Sequence, residues 1–178
     1  MTTANLMAAP EGTPIDAADG AVWRLGGSGT HARLLAPVLR GHALRASFTD
    51  VAGRLVLDGD GTPRSVEVRI GVASMHTGDA RRDRHLRSSA FLDVERHPNV
   101  CFQSRWLELA GADRWRVHGD LNIRDISRPV VVDVSYDRED SRAMVEIHGR
   151  IDRRDFGLML NRIMERTFRV DTELTLEA

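Results

Sequence analysis

The chain has 178 residues, of which 42% are apolar and 29% are charged, so it has the composition of a single soluble globular domain. Its 25 basic and 26 acidic residues nearly cancel, which excludes a non-specific nucleic-acid binder, because such proteins need surplus positive charge. No apolar run approaches the roughly 18 residues of a membrane span, so none is predicted.

Two further features of the composition exclude particular kinds of functional site. Cys101 is the only cysteine, which excludes an intramolecular disulfide and a cysteine-cluster metal site. Every basic residue is arginine, so a lysine Schiff base and a P-loop lysine are also excluded. The first 20 residues lack the basic start and apolar core of a secretory signal. Together these features predict a cytoplasmic protein.

The N-terminal segment differs from the rest of the chain. Residues 1–20 contain two prolines, two glycines and several small residues without periodicity, which predicts a disordered tail. Residues 21–178 contain no linker, repeat or low-complexity tract, so we expect them to form one domain.

From Val22 onward, apolar and polar residues alternate with a period of two, which is typical of antiparallel strands with one buried face. The clearest segments are residues 66–72, 115–123, 130–136, 143–151 and 168–176. Turn-forming residues at 58–63, 110–113 and 137–141 separate successive strands. With the segments 33–38, 44–48, 54–57 and 100–109, the pattern predicts about eight strands.

Two segments interrupt the alternation. Residues 79–94 have helical periodicity, with Asp79 as the predicted N-cap, and residues 157–165 form a second, short helical candidate. Antiparallel strands with two helical excursions predict an all-β fold, either a sandwich or a closed eight-stranded barrel that can hold one small ligand. The apolar faces are rich in valine and include Gly119. The interior is therefore either a packed core or lightly filled and able to hold an elongated apolar guest.

Several motifs in the chain occur in the order in which a known family has them. They are Ser74 with Thr77-Gly78-Asp79, Arg82-Asp83-Arg84-His85-Leu86-Arg87-Ser88, Phe91-Leu92-Asp93-Val94, residues 97–104, residues 117–123, and Arg153-Arg154-Asp155-Phe156-Gly157. In this order they resemble the YceI-like family, and the resemblance covers about residues 23–176.

The resemblance implies a lipocalin-like antiparallel β-barrel of eight strands that binds long apolar amphiphiles, notably polyisoprenoids, in its interior. It implies no catalytic activity and no resident cofactor; an isoprenoid quinone or a polyprenyl lipid would be the bound ligand. It also suggests a homodimer. We therefore expect a non-enzymatic protein that sequesters or transports a long-chain lipid, because each methylene group removed from water contributes about 0.8 kcal/mol.

Polar candidates for the ligand site lie near the predicted helical excursions and strand ends. Charged groups there would hold a polar head group or form structural ion pairs. Hydroxyl groups would bond a head group or cap nearby backbone groups. The charged candidates are Arg82, Asp83 and Arg153, and the hydroxyl candidates are Ser74, Thr77 and Ser104.

Apolar candidates are expected to face the interior, either as the wall of a tunnel or as ordinary core. Gly157 is expected to provide a turn that a side chain would block. The apolar candidates are Phe48, Leu86, Phe91, Phe102, Trp106, Gly119 and Phe156.

Two alternative functions remain open. One is a small-molecule hydrolase or isomerase that uses Arg82, Asp83 and His85, although no Gly-x-Ser-x-Gly motif supports a serine nucleophile. The other is a lipid-free stress-response interaction module, in which the barrel is only a scaffold. His76, His85 and His97 occur within 22 residues, but none of these pairs has HExxH spacing, so no metal site is predicted.

Overall fold

The computed structural model describes residues 22–25, 31–38, 42–112, 114–139, 142–158 and 167–177. The disordered tail predicted for residues 1–20 lies outside the described residues and stays a prediction. The strands are β1 (Val22–Leu25), β2 (His31–Val38), β3 (His42–Phe48), β4 (Val51–Leu57), β5 (Pro63–Gly71), β6 (Asn99–Gly111), β7 (Arg114–Ile123), β8 (Ile126–Glu139), β9 (Arg142–Asp152) and β10 (Thr167–Glu177). The helix is α1 (Ala80–Arg87), and 3₁₀ turns occur at Val72–Ser74 and Arg153–Phe156.

The described strands form one sheet, and all of its paired neighbours are antiparallel. Their order is β1-β4-β5-β6-β7-β8-β9-β10-β2-β3, and β1 pairs with both β4 and β10. The predicted antiparallel all-β fold is therefore confirmed. The described part of the chain has ten strands, two more than predicted, in part because β1 spans only four residues and is too short to display alternation. Closure as an eight-stranded barrel stays a prediction.

One face of the sheet is apolar from strand to strand. Residues paired across neighbouring antiparallel strands lie on the same face. The register aligns Val68 with Phe102 and Phe102 with Leu121 across β5, β6 and β7, and it aligns Val117 with Val132 across β7 and β8. Phe102 is half-buried and the other four are at most 8% exposed. We call this buried surface the inner face.

A β-bulge between Ser104 and Trp106 shifts the alternation in β6 by one residue. Trp106 therefore pairs with His118 on the outer face, where it is 50% exposed. The two rings stack with their centroids 3.5 Å apart. The expectation that Trp106 faces apolar space is wrong, because the extra residue moves its side chain to the other face. Before the bulge, the Ser104 hydroxyl lies on the inner face and accepts a hydrogen bond of 2.8 Å from the backbone N–H of Val66.

The helix α1 begins where the sequence predicts it to begin but ends earlier. The Asp79 side chain caps it by accepting hydrogen bonds from two backbone N–H groups of the first turn. The helix ends at Arg87 rather than at residue 94, because Ser88 has an extended conformation and the chain turns after it, with Asp93 at a φ of 50°. In the part of the chain that the structure describes, no helix is long and apolar enough to span a bilayer.

The second helical candidate is not helical at its start. The chain forms the 3₁₀ turn Arg153–Phe156 instead, and Gly157 ends this turn in the left-handed region at a φ of 64°. Residues with side chains rarely adopt this conformation, so Gly157 provides the turn that the sequence predicts. The remainder of the candidate, residues 159–165, lies outside the described residues.

Gly119 allows β6 and the Phe102 ring to approach β7 closely. It is buried on the inner face, and a Cβ atom there would lie 2.4 Å from the Gln103 carbonyl oxygen and 2.6 Å from the Phe102 ring. The backbone oxygen cannot move without disturbing the pairing of β6 with β7. Glycine at this position is therefore a packing requirement.

We expect Gly119→Ala to destabilise the fold by about 1–3 kcal/mol, which is the usual cost of overpacking. For a chain of this size that lowers the melting temperature by about 2–4 °C per kcal/mol, which a thermal melt detects. Gly59→Ala is the matched control, because nothing lies within 4 Å of a Cβ atom there. Equal melting temperatures for the two variants would contradict the packing role of Gly119.

Candidate functional site

The connections that carry most of the candidate residues lie at one end of the sheet. The antiparallel register pairs Gly71 with Asn99, Ile123 with Ile126, and Asp152 with Thr167 at strand ends. The connection 72–98, which contains α1, therefore lies at the same end as the second 3₁₀ turn. We call this the helix end, and we call the opposite end, where β4 meets β5 and β6 meets β7, the hairpin end.

Hydrogen bonds attach the connection 72–98 to β3 and to the β3–β4 connection, and they also join its own two ends. The Ser47 and His76 backbones exchange two hydrogen bonds of 2.8 Å, and Val72 N–H donates to the Pro98 carbonyl at 2.8 Å. Ser74 Oγ accepts hydrogen bonds from two backbone N–H groups of the β3–β4 connection, at 3.0 and 3.2 Å, and donates to the Gly71 carbonyl at 2.7 Å. The Ser74 hydroxyl is therefore used in fixing the backbone.

Asp83 is the centre of a polar network between α1 and the preceding segment. It is 5% exposed, and its Oδ1 accepts hydrogen bonds from the Thr77 hydroxyl at 2.5 Å and from the Thr77 N–H at 3.0 Å. Arg82 then donates from Nε to the Thr77 hydroxyl and from Nη2 to the Thr77 carbonyl, both at 2.9 Å. The hydrogen bond from the Thr77 hydroxyl is the main cause that lowers the pKa of Asp83, against the opposing effect of burial.

The structure brings three of the predicted polar residues together and replaces a fourth. Thr77, Arg82 and Asp83 form the network, but its histidine is His76, whose Nδ1 lies 3.2 Å from Asp83 Oδ2. His85 is exposed on α1. The predicted cluster of Arg82, Asp83 and His85 is therefore wrong in its histidine. His76 is the residue next to Thr77, and this adjacency is the sequence signal that could have identified it.

The apolar candidates at the helix end form a plug over the inner face. Leu92 N–H donates to the Leu86 carbonyl at 3.0 Å, and Arg124 Nη1 donates to the Phe91 carbonyl at 3.2 Å, which fixes the turn after α1. Phe48, at the end of β3, is 9% exposed and joins the same buried cluster. The apolar plug consists of Met75, Leu86, Phe91, Leu92 and Phe156, each at most 9% exposed.

The second 3₁₀ turn adds a buried cation at the helix end. Arg153 is 6% exposed, and its Nη1 donates to the Leu158 carbonyl at 2.6 Å. Arg128 Nε braces the same turn by donating to the Asp155 carbonyl at 3.2 Å. The neighbouring Arg154 forms a 2.5 Å ion pair with Asp152. Arg153 thus fixes the chain after β9 through a backbone carbonyl.

The remaining candidates lie within the sheet rather than at its end. Phe102, Ser104 and Gly119 are neighbours on the inner face of β6 and β7, with the Phe102 ring against Gly119. Among the described residues, no three His, Cys, Asp or Glu side chains are arranged to hold a metal ion. His97 Nε2 lies 3.5 Å from Asp125 Oδ2, and among the described residues this is the carboxylate paired with it.

Comparison with known proteins confirms the resemblance. The family model described as YceI-like domain matches residues 23–178. A "UPF0312 protein" of Azotobacter vinelandii is 30% identical over 122 residues, which are 65% of this chain and 64% of that protein. One from Serratia proteamaculans is 33% identical over 122 residues, 65% of this chain and 63% of that protein. The matches therefore span slightly less than two thirds of these relatives.

Solved structures show the same fold. BcnA of Burkholderia cenocepacia has a TM-score of 0.73 and 18% identity, covering 81% of this chain and 95% of that chain. The YceI protein of Campylobacter jejuni has a TM-score of 0.72 and 19% identity, covering 79% and 88%. A domain of Saccharophagus degradans, described as polyisoprenoid binding, has a TM-score of 0.72 and 15% identity, covering 88% and 98%.

The Asp83 network predicts a specific pH dependence of stability. Because the folded-state pKa of Asp83 is lowered, its ionised form stabilises the fold above the unfolded pKa of about 3.9. This contribution is lost as the pH falls through the lower folded pKa. We expect wild type to melt above Asp83→Asn at about pH 5.5 and the difference to narrow toward about pH 2.5. Parallel thermal melts measure it, and a difference that does not change with pH would contradict the network.

Proposed function

Because the chain belongs to the YceI-like domain family, we propose that it binds a long-chain isoprenoid or a similar lipid in the interior of its sheet. In this proposal β1 and β4 to β10 close as a barrel around the lipid, which is sequestered or transported without chemical conversion. Residues 21–178 form the single domain that does so. The structural neighbour described as a polyisoprenoid binding domain supports this ligand class.

The observation that carries the proposal is the apolar character of the side chains on the inner face. Among residues whose side chains the structure describes, the buried charged ones are Asp83, Asp93 and Arg153, and all three lie outside the strands. Arg128 has an inner-face register position beside Leu121, but it is exposed and donates to the Asp155 carbonyl instead. The Ser104 hydroxyl is also on this face, but it is bonded to the backbone N–H of Val66. A hydrocarbon chain along the face therefore meets mainly aliphatic and aromatic groups.

The physical basis of affinity is the removal of apolar surface from water. Each buried methylene contributes about 0.8 kcal/mol, so a chain of many isoprene groups gains affinity without specific contacts. Such a site discriminates weakly between chains of similar length, because one methylene changes the free energy of binding so little. Selection of the ligand then depends on a few polar groups.

The inner face is covered at the helix end, whereas at the hairpin end Leu109 of this face is exposed. Leu109 pairs with Trp115 in line with the inner-face residues Leu107 and Val117, yet it is 63% exposed. We place the free end of the lipid tail there, where a chain longer than the barrel extends past Leu109. The apolar plug closes the opposite end.

The candidate residues take two roles in this proposal. Apolar ones contact the lipid tail, and polar ones hold the helix end in the shape that the plug requires. The tail contacts are Phe48, Leu86, Phe91, Phe102 and Phe156, and the predicted contact Gly119 instead makes room for the Phe102 ring. The positioning residues are Ser74, Thr77, Arg82, Asp83, Ser104 and Arg153. A cytoplasmic location and a homodimer remain predictions from the sequence.

The two alternatives make different demands on the molecule. A hydrolase or isomerase built on Arg82, Asp83 and His85 needs these groups to converge, whereas Asp83 contacts His76 and His85 lies on the exposed side of α1. A lipid-free interaction module needs an interior that its own side chains fill. A substitution that enlarges an inner-face side chain distinguishes the lipid-free module from a lipid-binding protein.

We expect Val134→Phe to weaken uptake of a long-chain polyprenol, because Val134 is 6% exposed on the inner face of β8. If the interior is open to lipid, the added ring occupies space that the lipid would use, and the melting temperature of the lipid-free protein changes little. Val131→Phe is the matched control, since Val131 lies on the outer face of the same strand and is 46% exposed. Titration with a fluorescent polyprenol, beside thermal melts, measures both properties.

The hypothesis that side chains fill the interior predicts the opposite results for stability and for lipid uptake. Val134→Phe would then overpack the core and cost about 1–3 kcal/mol, and wild type would take up no polyprenol. That pair of results would overturn the proposed function. Turnover of the polyprenol by wild type would instead favour the enzyme.

A further inference from the structure

An imidazole ring with a carboxylate partner lies on the exposed side of the helix end. The side chain of His76 is 69% exposed, and its Nδ1 lies 3.2 Å from Oδ2 of the buried Asp83. An ionised carboxylate only accepts hydrogen bonds, so Nδ1 carries the proton and Nε2 of the neutral ring keeps its lone pair. None of the described residues bonds to Nε2. The ring therefore presents an unprotonated nitrogen to solvent.

Both members of this His76–Asp83 dyad are held in place. The His76 backbone exchanges two hydrogen bonds of 2.8 Å with Ser47 of β3. Thr77 occupies Oδ1 of Asp83 with its hydroxyl and its N–H, which leaves Oδ2 for the ring. These bonds, and that of the Thr77 hydroxyl above all, lower the pKa of Asp83, so the carboxylate is ionised at neutral pH. A carboxylate at Nδ1 stabilises the positive charge that forms on a ring when Nε2 attacks an electrophile.

A fixed guanidinium accompanies the dyad. Arg82 donates from Nε and Nη2 to the hydroxyl and the carbonyl of Thr77, the residue that follows His76, both at 2.9 Å. Arg82 is exposed, and it forms no ion pair with a carboxylate of the described residues. A guanidinium with uncompensated charge binds phosphoryl oxygens well, and it stabilises the charge on them during phosphoryl transfer. A nucleophilic nitrogen and a phosphate-binding group thus belong to one hydrogen-bonded network.

We propose that His76 is a phosphoryl acceptor, whose Nε2 takes a phosphoryl group from a small reactive donor such as an acyl phosphate or a phosphoramidate while Arg82 binds the phosphoryl oxygens. The Nε2 lone pair attacks phosphorus, an N–P bond forms, and the bond from phosphorus to the leaving group breaks. An acyl phosphate releases its carboxylate, and a phosphoramidate protonated on nitrogen releases ammonia. Nδ1 keeps its proton, and nothing is oxidised or reduced. This activity goes beyond lipid binding, because it uses the exposed ring rather than the interior of the sheet.

The first test uses phosphoramidate as the donor and a second histidine of the same chain as the comparison. His85 is also exposed, but it has no carboxylate partner among the described residues. Wild type is incubated at about pH 8, where free histidine is neutral, and mass spectrometry of peptides kept at alkaline pH measures phosphorylation at each site. One charge-assisted hydrogen bond corresponds to about ten- to over a hundredfold in rate, so we expect His76 to react faster than His85 by that factor.

Asp83 acts in this proposal as a positioning residue, and Asp83→Asn tests that role. The amide of the variant donates to Nδ1, which moves the ring proton to Nε2 and removes its lone pair. Nitrogen NMR spectra should show His76 protonated on Nδ1 in wild type and on Nε2 in the variant. Phosphorylation of His76 should fall to the rate of His85, and the His85 rate should not change. A thermal melt confirms that the variant is folded at the assay temperature.

A second variant tests recognition of the phosphoryl group separately from the reactivity of the ring. Arg82→Met should slow phosphorylation of His76 by about tenfold or more, because it removes a charge-assisted hydrogen bond to the phosphoryl oxygens. The reaction of His76 with diethyl pyrocarbonate should be unchanged, since that reagent is uncharged. Arg81→Met is the matched control, because Arg81 is exposed on the same turn of α1, and it should behave as wild type with both reagents.

The opposite results would overturn the inference. Equal phosphorylation of His76 and His85 in wild type, or an unchanged rate at His76 in Asp83→Asn, would show that the dyad does not activate the ring. If Arg82→Met slowed both reagents equally or slowed neither, Arg82 would only support Thr77 and the site would not select a phosphoryl group. None of these measurements involves a lipid, so they stand or fall independently of the proposed function.

Discussion

The structure depends on one constraint: the inner face of the sheet is apolar to the ends of its strands, so the end where the long connections cross must be covered. Val51, Ile123 and Ile151 lie at or next to strand termini at the helix end and are at most 9% exposed. Covering them requires a segment that brings apolar side chains without exposing unpaired backbone groups to a dry interior. The connection 72–98 meets this requirement with backbone hydrogen bonds to β3 and to its own turns.

A polar group buried in the segment that covers the helix end is tolerated only when it has a hydrogen-bond partner. Asp83 and Arg87 differ in this respect. Asp83 is satisfied by Thr77 and His76, and Arg82 extends that network outward. Arg87 satisfies the Met75 carbonyl but leaves its Nε–H unpaired. The Asp83 network therefore explains why α1 stays in place.

Local patterns in the sequence could predict much of this arrangement. Period-two alternation assigns each strand residue to a face, because that assignment depends only on its neighbours, and Asp79 caps α1 for an equally local reason. Features that depend on pairing between distant segments were not predictable. One such feature is the bulge that turns Trp106 outward, which arises from the pairing of β6 with β7. Another is the turn that ends α1 early, where Arg124 donates to the Phe91 carbonyl.

The central claim is that the interior holds a long-chain lipid, and mass spectrometry of the purified full-length protein tests it most directly. Native spectra should contain a protein peak with additional non-covalent mass, and an organic extract of the same sample should contain a long-chain isoprenoid or a similar lipid. Transfer of the delipidated protein into a lipid extract should restore the heavier peak. A spectrum of the bare chain alone, unchanged after exposure to that extract, would contradict the account.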